Sequence, residues 1–237
     1  MQTIAYPISV GVVGTPPRAK SDSRAEVDAR NMAGHVQDCV EIDGSFARLP
    51  RAEQVAAWQS GAPATSRFLL TAPRALTHGK RLQNCDRELN ALRACANLFG
   101  PSLAGIVFRL PTSPPMPARQ LQHFLQQKPD QIPWLFVVPE DLPEIAECRQ
   151  ALDAATAAVA CNYVADIPGR HVPKLAYWRI TELPASQRFS VTRKLAARAL
   201  TWQRQGARIF IQFGGDRARR DAARVCHLLA QPNTSMP

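Results

Sequence analysis

Glu41, His78 and a handful of arginines are the residues of this chain whose types and spacing could do chemistry. A carboxylate and an imidazole can each hold or move a proton near neutral pH when their surroundings tune them. Arg48, Arg74, Arg109 and Arg179 can clamp a phosphate or carboxylate through paired N–H donors. Thr77, beside His78 in LTHGKRL, offers a hydroxyl or a helix cap. Gly214 and Gly215, in FGGDRAR, would let backbone N–H groups approach an anion at a helix start. Asp216 next to them is a good N-cap residue and competes for the same N–H groups. Together these residues point to binding of a small anionic molecule, with Glu41 or His78 handling a proton.

Other chemistries find less support. No Ser-His-Asp order or GxSxG elbow is present. No GxGxxG or GxxxxGK[ST] follows an apolar run, so no dinucleotide or nucleotide loop is indicated. The six cysteines, Cys39, Cys85, Cys95, Cys148, Cys161 and Cys226, show no CxxC or CxxH spacing. Neither a zinc site nor a disulfide framework is expected, and a reducing cytoplasm is the natural reading. Glu41, His78 and Asp166 would be the nearest thing to a metal trio, but nothing in their spacing assembles them. No metal and no cofactor is expected.

The elements that must position these residues come as eight short, near-continuous apolar runs: 8–14, 39–42, 67–72, 103–110, 134–138, 157–165, 175–180 and 207–213. Such runs suit parallel strands covered on both faces. Between them lie segments with helical periodicity, including NCDRELNALRACANLF with Leu89, Leu92, Ala96 and Phe99 on one face. RAEVDARNMAGHV, before the second run, is a weaker helix candidate. DIPGRHVPK, with two prolines and a glycine, reads as a loop. Strand and helix alternating eight times over 237 residues predicts an α/β fold, a TIM-like (β/α)8 barrel with one irregular unit near the sixth strand. The expected organisation is one domain over residues 1–230 and a frayed tail over 231–237.

In such a barrel chemistry gathers where strands end and βα-loops begin. Glu41, Arg48, Arg74, Thr77, His78, Arg109, Asp166, Arg179 and the glycine pair all fall there. Strand alternation puts Glu41 and Asp43 on one side and Ile42 on the other, without saying which side faces inward. A carboxylate inside a barrel must pair or neutralise, and Arg109 and Arg179 are the partners expected for Glu41.

The chain carries 29 Lys and Arg against 19 Asp and Glu, a net +10 and a pI near 9.9. That balance favours anionic partners. Nucleic acid is open as a partner but not favoured, because basic and aromatic residues are not interleaved as on an RNA-binding sheet. No run of about 18 apolar residues exists, so no membrane partner is expected. Oligomeric state is not legible.

VEIDGSFARLP (40–50), VAAW (55–58), FLLTAPRALTHGKRL (68–82) and FGPSLAGIVFRLP (99–111) resemble the YecE-like family, domain of unknown function 72. YWRITELP (177–184) and IFIQFGGDRARRDAARVCHLL (209–229) are similar to it more loosely. The resemblance implies a TIM-type barrel and brings no established activity. It implies that Glu41, Ser45, Phe46, Arg48, Leu49, Pro50, Thr77, His78 and Arg179 are retained pattern positions. The chain departs from the pattern elsewhere. It lacks the Arg-His pair after the fifth strand, reads Arg179-Ile180-Thr181-Glu182 where the family has Arg-x-His-Gly, and has Gly214-Gly215 for an asparagine pair. The alternative to an enzyme is therefore a catalytically degenerate barrel that binds a ligand or a protein.

Overall fold

The structure, a computed structural model, describes residues 8–14, 39–129, 131–139, 144–155, 157–161, 172–181 and 183–231. Eight strands follow one another in the order β1 to β8: Ile8–Gly14, Cys39–Ile42, Arg67–Thr71, Leu103–Arg109, Trp134–Val137, Ala158–Cys161, Leu175–Ile180 and Arg208–Phe213. Helices α1 to α6 are Ala52–Gly61, Asp86–Phe99, Ala118–Leu125, Ile145–Ala154, Arg188–Arg204 and Ala218–Ala230. This is the predicted TIM-like (β/α)8 fold, with each strand within a few residues of its apolar run. The candidate helix at 24–36 and most of DIPGRHVPK lie outside the described residues, as do Asp166 and the tail from residue 232.

The chain divides into two units, with boundaries after Cys39 in β2 and after Ala160 in β6. In the unit that holds β3, β4 and β5, the strands run parallel, with Leu70 beside Ile106 and Val107 beside Leu135. Phe68, Leu70, Ile106, Phe108, Trp134 and Phe136 face the helices, where Leu89, Leu92, Leu121 and Phe124 meet them. Phe108 stacks on Phe136 at 5.0 Å between centroids, and Phe124 on Trp134 at 5.0 Å. Each large side chain buried in this layer contributes about 1.5–3 kcal/mol, so this aromatic stack anchors the strands that carry the site.

In the other unit β8 pairs with β1 and β7, with Gln212 beside Gly11 on one side and Arg179 on the other. Trp178, Ile180, Ile209, Ile211 and Phe213 pack against Leu195, Ala199, Trp202, Ala222 and Val225 of α5 and α6. Alternation therefore sends Tyr177, Arg179, Phe210 and Gln212 to the other face of the sheet. Gly11 is required there. A Cβ at this position would stand 1.6 Å from the Cys39 carbonyl oxygen and 2.9 Å from Gln212 Oε1.

Candidate functional site

Val40 and Ile42 of β2 pack into the helix-side core. Glu41 therefore takes the opposite side, where it is fully buried. This settles which way the VEID stretch faces. The strand ends at Ile42, and DGSF (43–46) turns into a short 3-10 segment. Ser45 ties that turn down by donating its hydroxyl towards the Ile42 carbonyl, 2.6 Å, and the Thr71 carbonyl at the end of β3, 2.7 Å. So the ends of β2 and β3 are bonded through one buried serine.

Asp43 and Phe46, projected from this turn, meet Arg109 from the end of β4. The guanidinium donates to the Asp43 carboxylate at 2.8 Å and lies 4.6 Å from the centre of the Phe46 ring. Arg109 was expected beside Glu41; its ion partner is Asp43 instead, because Asp43 leaves the strand on the turn and reaches the rim where Arg109 ends. The pair is about one-third exposed on the arginine side and more on the aspartate side. An ion pair this open is worth about 0–1 kcal/mol, so its effect is to hold the guanidinium in place.

After β3, Ala75–Gly79 forms a π-type turn, with the Lys80 N–H donating to the Ala75 carbonyl at 2.8 Å. This widened turn carries Thr77, fully buried, and His78, half-buried. Thr77 is not a helix cap: its Oγ1 lies 2.9 Å from His78 Nδ1. The His78 ring meets Phe46 edge-on at 5.2 Å between centroids. Burial, and then the charges of Arg74, Arg109 and Arg81, push the His78 imidazole below its ordinary 6.5. His78 is thus a neutral imidazole at pH 7, standing in a positive field.

The chain beyond His78 is held in an unusual path. Arg81, Leu82 and Asn84 all have positive φ, at 51°, 62° and 44°. Non-glycine residues reach this region only where the surroundings impose it. Here Arg81 donates to the Pro114 and Pro115 carbonyls, both at 2.9 Å, and Gln120 donates to the Arg81 carbonyl. The loop after β3 is thereby fastened to the TSPPMP loop after β4. Arg74 and Arg48 are exposed on the same set of loops.

Arg179, Gly214 and Gly215 belong to the other unit. Arg179 is almost fully buried on the face of β7 away from the helices. Gly214 and Gly215 lead from β8 to α6, and Gly215 at φ 81° adopts the left-handed conformation that favours glycine. They border a pocket of about 230 Å³ with Thr181, Arg188, Arg217 and Asp221. Asp216 does not cap the helix; α6 starts at Ala218 with no side-chain cap bond. Arg188 instead donates to the buried Asp221 carboxylate at 3.0 Å and to the Leu183 carbonyl at 2.8 Å. Burial raises the Asp221 carboxyl, and the nearby arginines offset this only in part.

Among the described residues no three His, Cys, Asp or Glu come together as metal ligands. Cys39, Cys85, Cys95 and Cys148 are buried thiols, and burial pushes Cys95 up to about 11, which makes it a poor nucleophile. The roles of three contributors to the rim were not foreseen from the sequence. Phe46 serves as the surface shared by Arg109 and His78, Arg81 works as a strut, and Asp43 orients Arg109. All three rest on contacts between residues more than 30 positions apart, which no local spacing reveals.

The model of the family described as "Protein of unknown function DUF72" matches residues 24–236, and the chain belongs to that family. A DUF72 family protein from Thermotoga maritima MSB8 is similar in structure at TM-score 0.70 and 12% identity, over 94% of this chain and 100% of that one. Another, from Enterococcus faecalis V583, gives 0.65 and 14% identity, over 95% and 96% of the two chains. SacUVDE shares the fold at 0.57 and 8% identity, over 94% of this chain and 98% of its own. No curated protein matches the sequence.

Proposed function

We propose that the rim at the ends of β2, β3 and β4 binds a small anion, a phosphate or carboxylate, with Arg74, Arg109 and the neutral His78 as its ligands. The observation that carries this reading is the convergence of Arg74, Arg109 and Arg81 on a half-buried histidine, where burial first and these charges after it disfavour the imidazolium. A positive field in a partly desolvated corner attracts an anion, which removes the like-charge repulsion among the cations. Phe46 and Asp43 hold Arg109 in a fixed direction, so little ordering cost remains for binding. Arg48 extends the same positive rim.

The Thr77 contact bears on what His78 does. Thr77 Oγ1 is buried and has no other partner among the described residues. If it donated nothing its proton would be lost to hydrogen bonding, so we assign it as the donor to Nδ1. Nε2 then carries the ring proton and presents it to the anion. In a turnover the neutral His78 would donate a hydrogen bond to the group on which charge develops, with Glu41 as the candidate base behind the same strand ends. Arg179, Gly214 and Gly215 are proposed as further anion contacts of the strand-seven and strand-eight ends. A barrel that binds without turnover remains the second reading, favoured by the departures from the family pattern after the fifth and seventh strands.

The test is calorimetric titration of the full chain with inorganic phosphate, sulfate and short dicarboxylates. Arg109→Ala and Arg74→Ala should each weaken binding about tenfold or more, since a charge-assisted bond contributes about 1.5–3 kcal/mol. Binding unaffected by both substitutions contradicts the reading. Binding without conversion of any phosphate ester leaves the ligand-binding module standing and removes the enzyme.

A further inference from the structure

Residues 188–224 hold ten Lys and Arg against two Asp, so +8 of the chain's net +10 falls on 37 of its 237 residues. This stretch is α5, β8 and the first half of α6, all within one unit. Arg193, Lys194, Arg204, Arg217 and Arg220 are exposed, and none of them is ion-paired among the described residues. The one fully engaged carboxylate nearby, Asp221, is buried against Arg188. The second, Asp216, stands among Arg217, Arg219 and Arg220.

The charges also sit where they do least for the fold. The first turns of α5 and α6 lie side by side, since Arg188 reaches Asp221 and the Arg224 guanidinium lies 3.4 Å from the centre of the Phe189 ring. A helix N-terminus carries about half a positive charge, so cations there are unfavourable. The first turn of α5 nevertheless holds no acidic residue, and α6 opens on Arg217, Arg219 and Arg220, the one acidic residue of its first turn being Asp221, buried against Arg188. A merely solvated face would place such residues in the last turn. Here the positive ends of two adjacent helices and the arginines beside them add to one field.

We propose that this outward face of α5 and α6 binds the phosphate backbone of duplex nucleic acid. Nine of the ten basic residues are arginine, whose planar fork matches phosphate oxygens in pairs. A single strand would ask for aromatic platforms. The face does not offer them: Trp202 is buried, and the exposed Phe189 ring already carries the Arg224 guanidinium. A membrane surface would ask for exposed apolar anchors beside the charges. Phe189 is the lone large apolar residue exposed on this face among the described residues. At 1.5 Å per residue α5 runs about 25 Å, long enough to track several phosphates of one groove edge.

The experiment is fluorescence anisotropy of a labelled duplex of arbitrary sequence, titrated with the full chain at several salt concentrations. Wild type is compared with Arg193→Ala/Arg217→Ala/Arg220→Ala. A control of equal charge, Arg87→Ala/Arg119→Ala/Arg149→Ala, removes three exposed arginines from the other unit. Each phosphate contact contributes about −0.9 to the slope of log K against log salt, so the first variant should flatten the slope by about 2 to 3 while the control leaves it near the wild-type value. Thermal melts should show the first variant as stable as wild type or more so, which separates lost contacts from lost fold. Equal losses in both variants would mean that net charge alone is responsible and would overturn the proposal. So would absence of duplex binding at low salt, or binding to phosphatidylglycerol vesicles in its place.

Discussion

Thr77 Oγ1 and His78 Nδ1 stand 2.9 Å apart on a π-type turn, so adjacent residues on this turn bond to each other through their side chains. An ordinary helical turn would not direct neighbouring side chains together. The extra residue in this turn brings the buried hydroxyl to Nδ1 and fixes which nitrogen faces away from it. Nitrogen chemical shifts of the His78 ring should report the Nε2–H tautomer in wild type. Thr77→Val should cost about 1 kcal/mol and leave the ring a mixture of tautomers. A ring unchanged by that substitution would show that Thr77 does not orient it.

The lowered His78 basicity has a sign that melting curves can read. The folded chain holds fewer protons on this imidazole than the unfolded chain does around the ordinary value of 6.5. Stability therefore rises with pH from the depressed folded value up to about 6.5, and falls as the solution is acidified through that window. His78→Asn should remove this part of the pH dependence. If wild type and variant lose stability in parallel between pH 7 and pH 5, the histidine does not titrate as described.

Gly11→Ala should be among the most damaging single-methyl changes in the chain. Its Cβ would fall within 1.6 Å of the Cys39 carbonyl oxygen, a backbone atom that cannot swing aside. A loss of more than about 3 kcal/mol, or failure to fold, is expected. A near-neutral melt would mean that β1 does not approach Cys39 this closely.

Arg188→Ala leaves Asp221 buried with its principal partner gone, and should cost about 3 kcal/mol at pH 7. Much of that loss should disappear in the Arg188→Ala/Asp221→Asn pair, because the uncompensated charge is then absent. The comparison is a double-mutant cycle read by chemical denaturation. Additive losses would show that the pair does not couple α5 to α6.

The eight strands were legible because parallel strands buried on both faces are written as continuous apolar runs; ISVGVVG, CVEI and LAYWRI coincide with β1, β2 and β7 to the residue. Helix ends were less so. Asp216 has the chemistry of a cap, yet the glycine at φ 81° lets the chain turn past it and α6 begins two residues later. At the site, position was readable and pairing was not. Arg109 ends β4, Glu41 is next to last in β2, and Thr77 and His78 follow β3 on its turn, but alternation cannot foresee that Asp43 leaves the strand on a 3-10 turn and takes Arg109. The π turn was likewise invisible, because nothing in ALTHG distinguishes it from a helical or irregular turn by periodicity.

The central claim, an anion held by arginines around a neutral histidine, is tested most directly by the NMR titration of His78 with and without inorganic phosphate. Bound phosphate cancels part of the field of Arg74, Arg109 and Arg81, so the imidazole should titrate below 6.5 in its absence and move upward as phosphate saturates. Arg109→Ala should raise the phosphate-free value and weaken the response. An imidazole that titrates at the ordinary value and ignores phosphate would contradict the account.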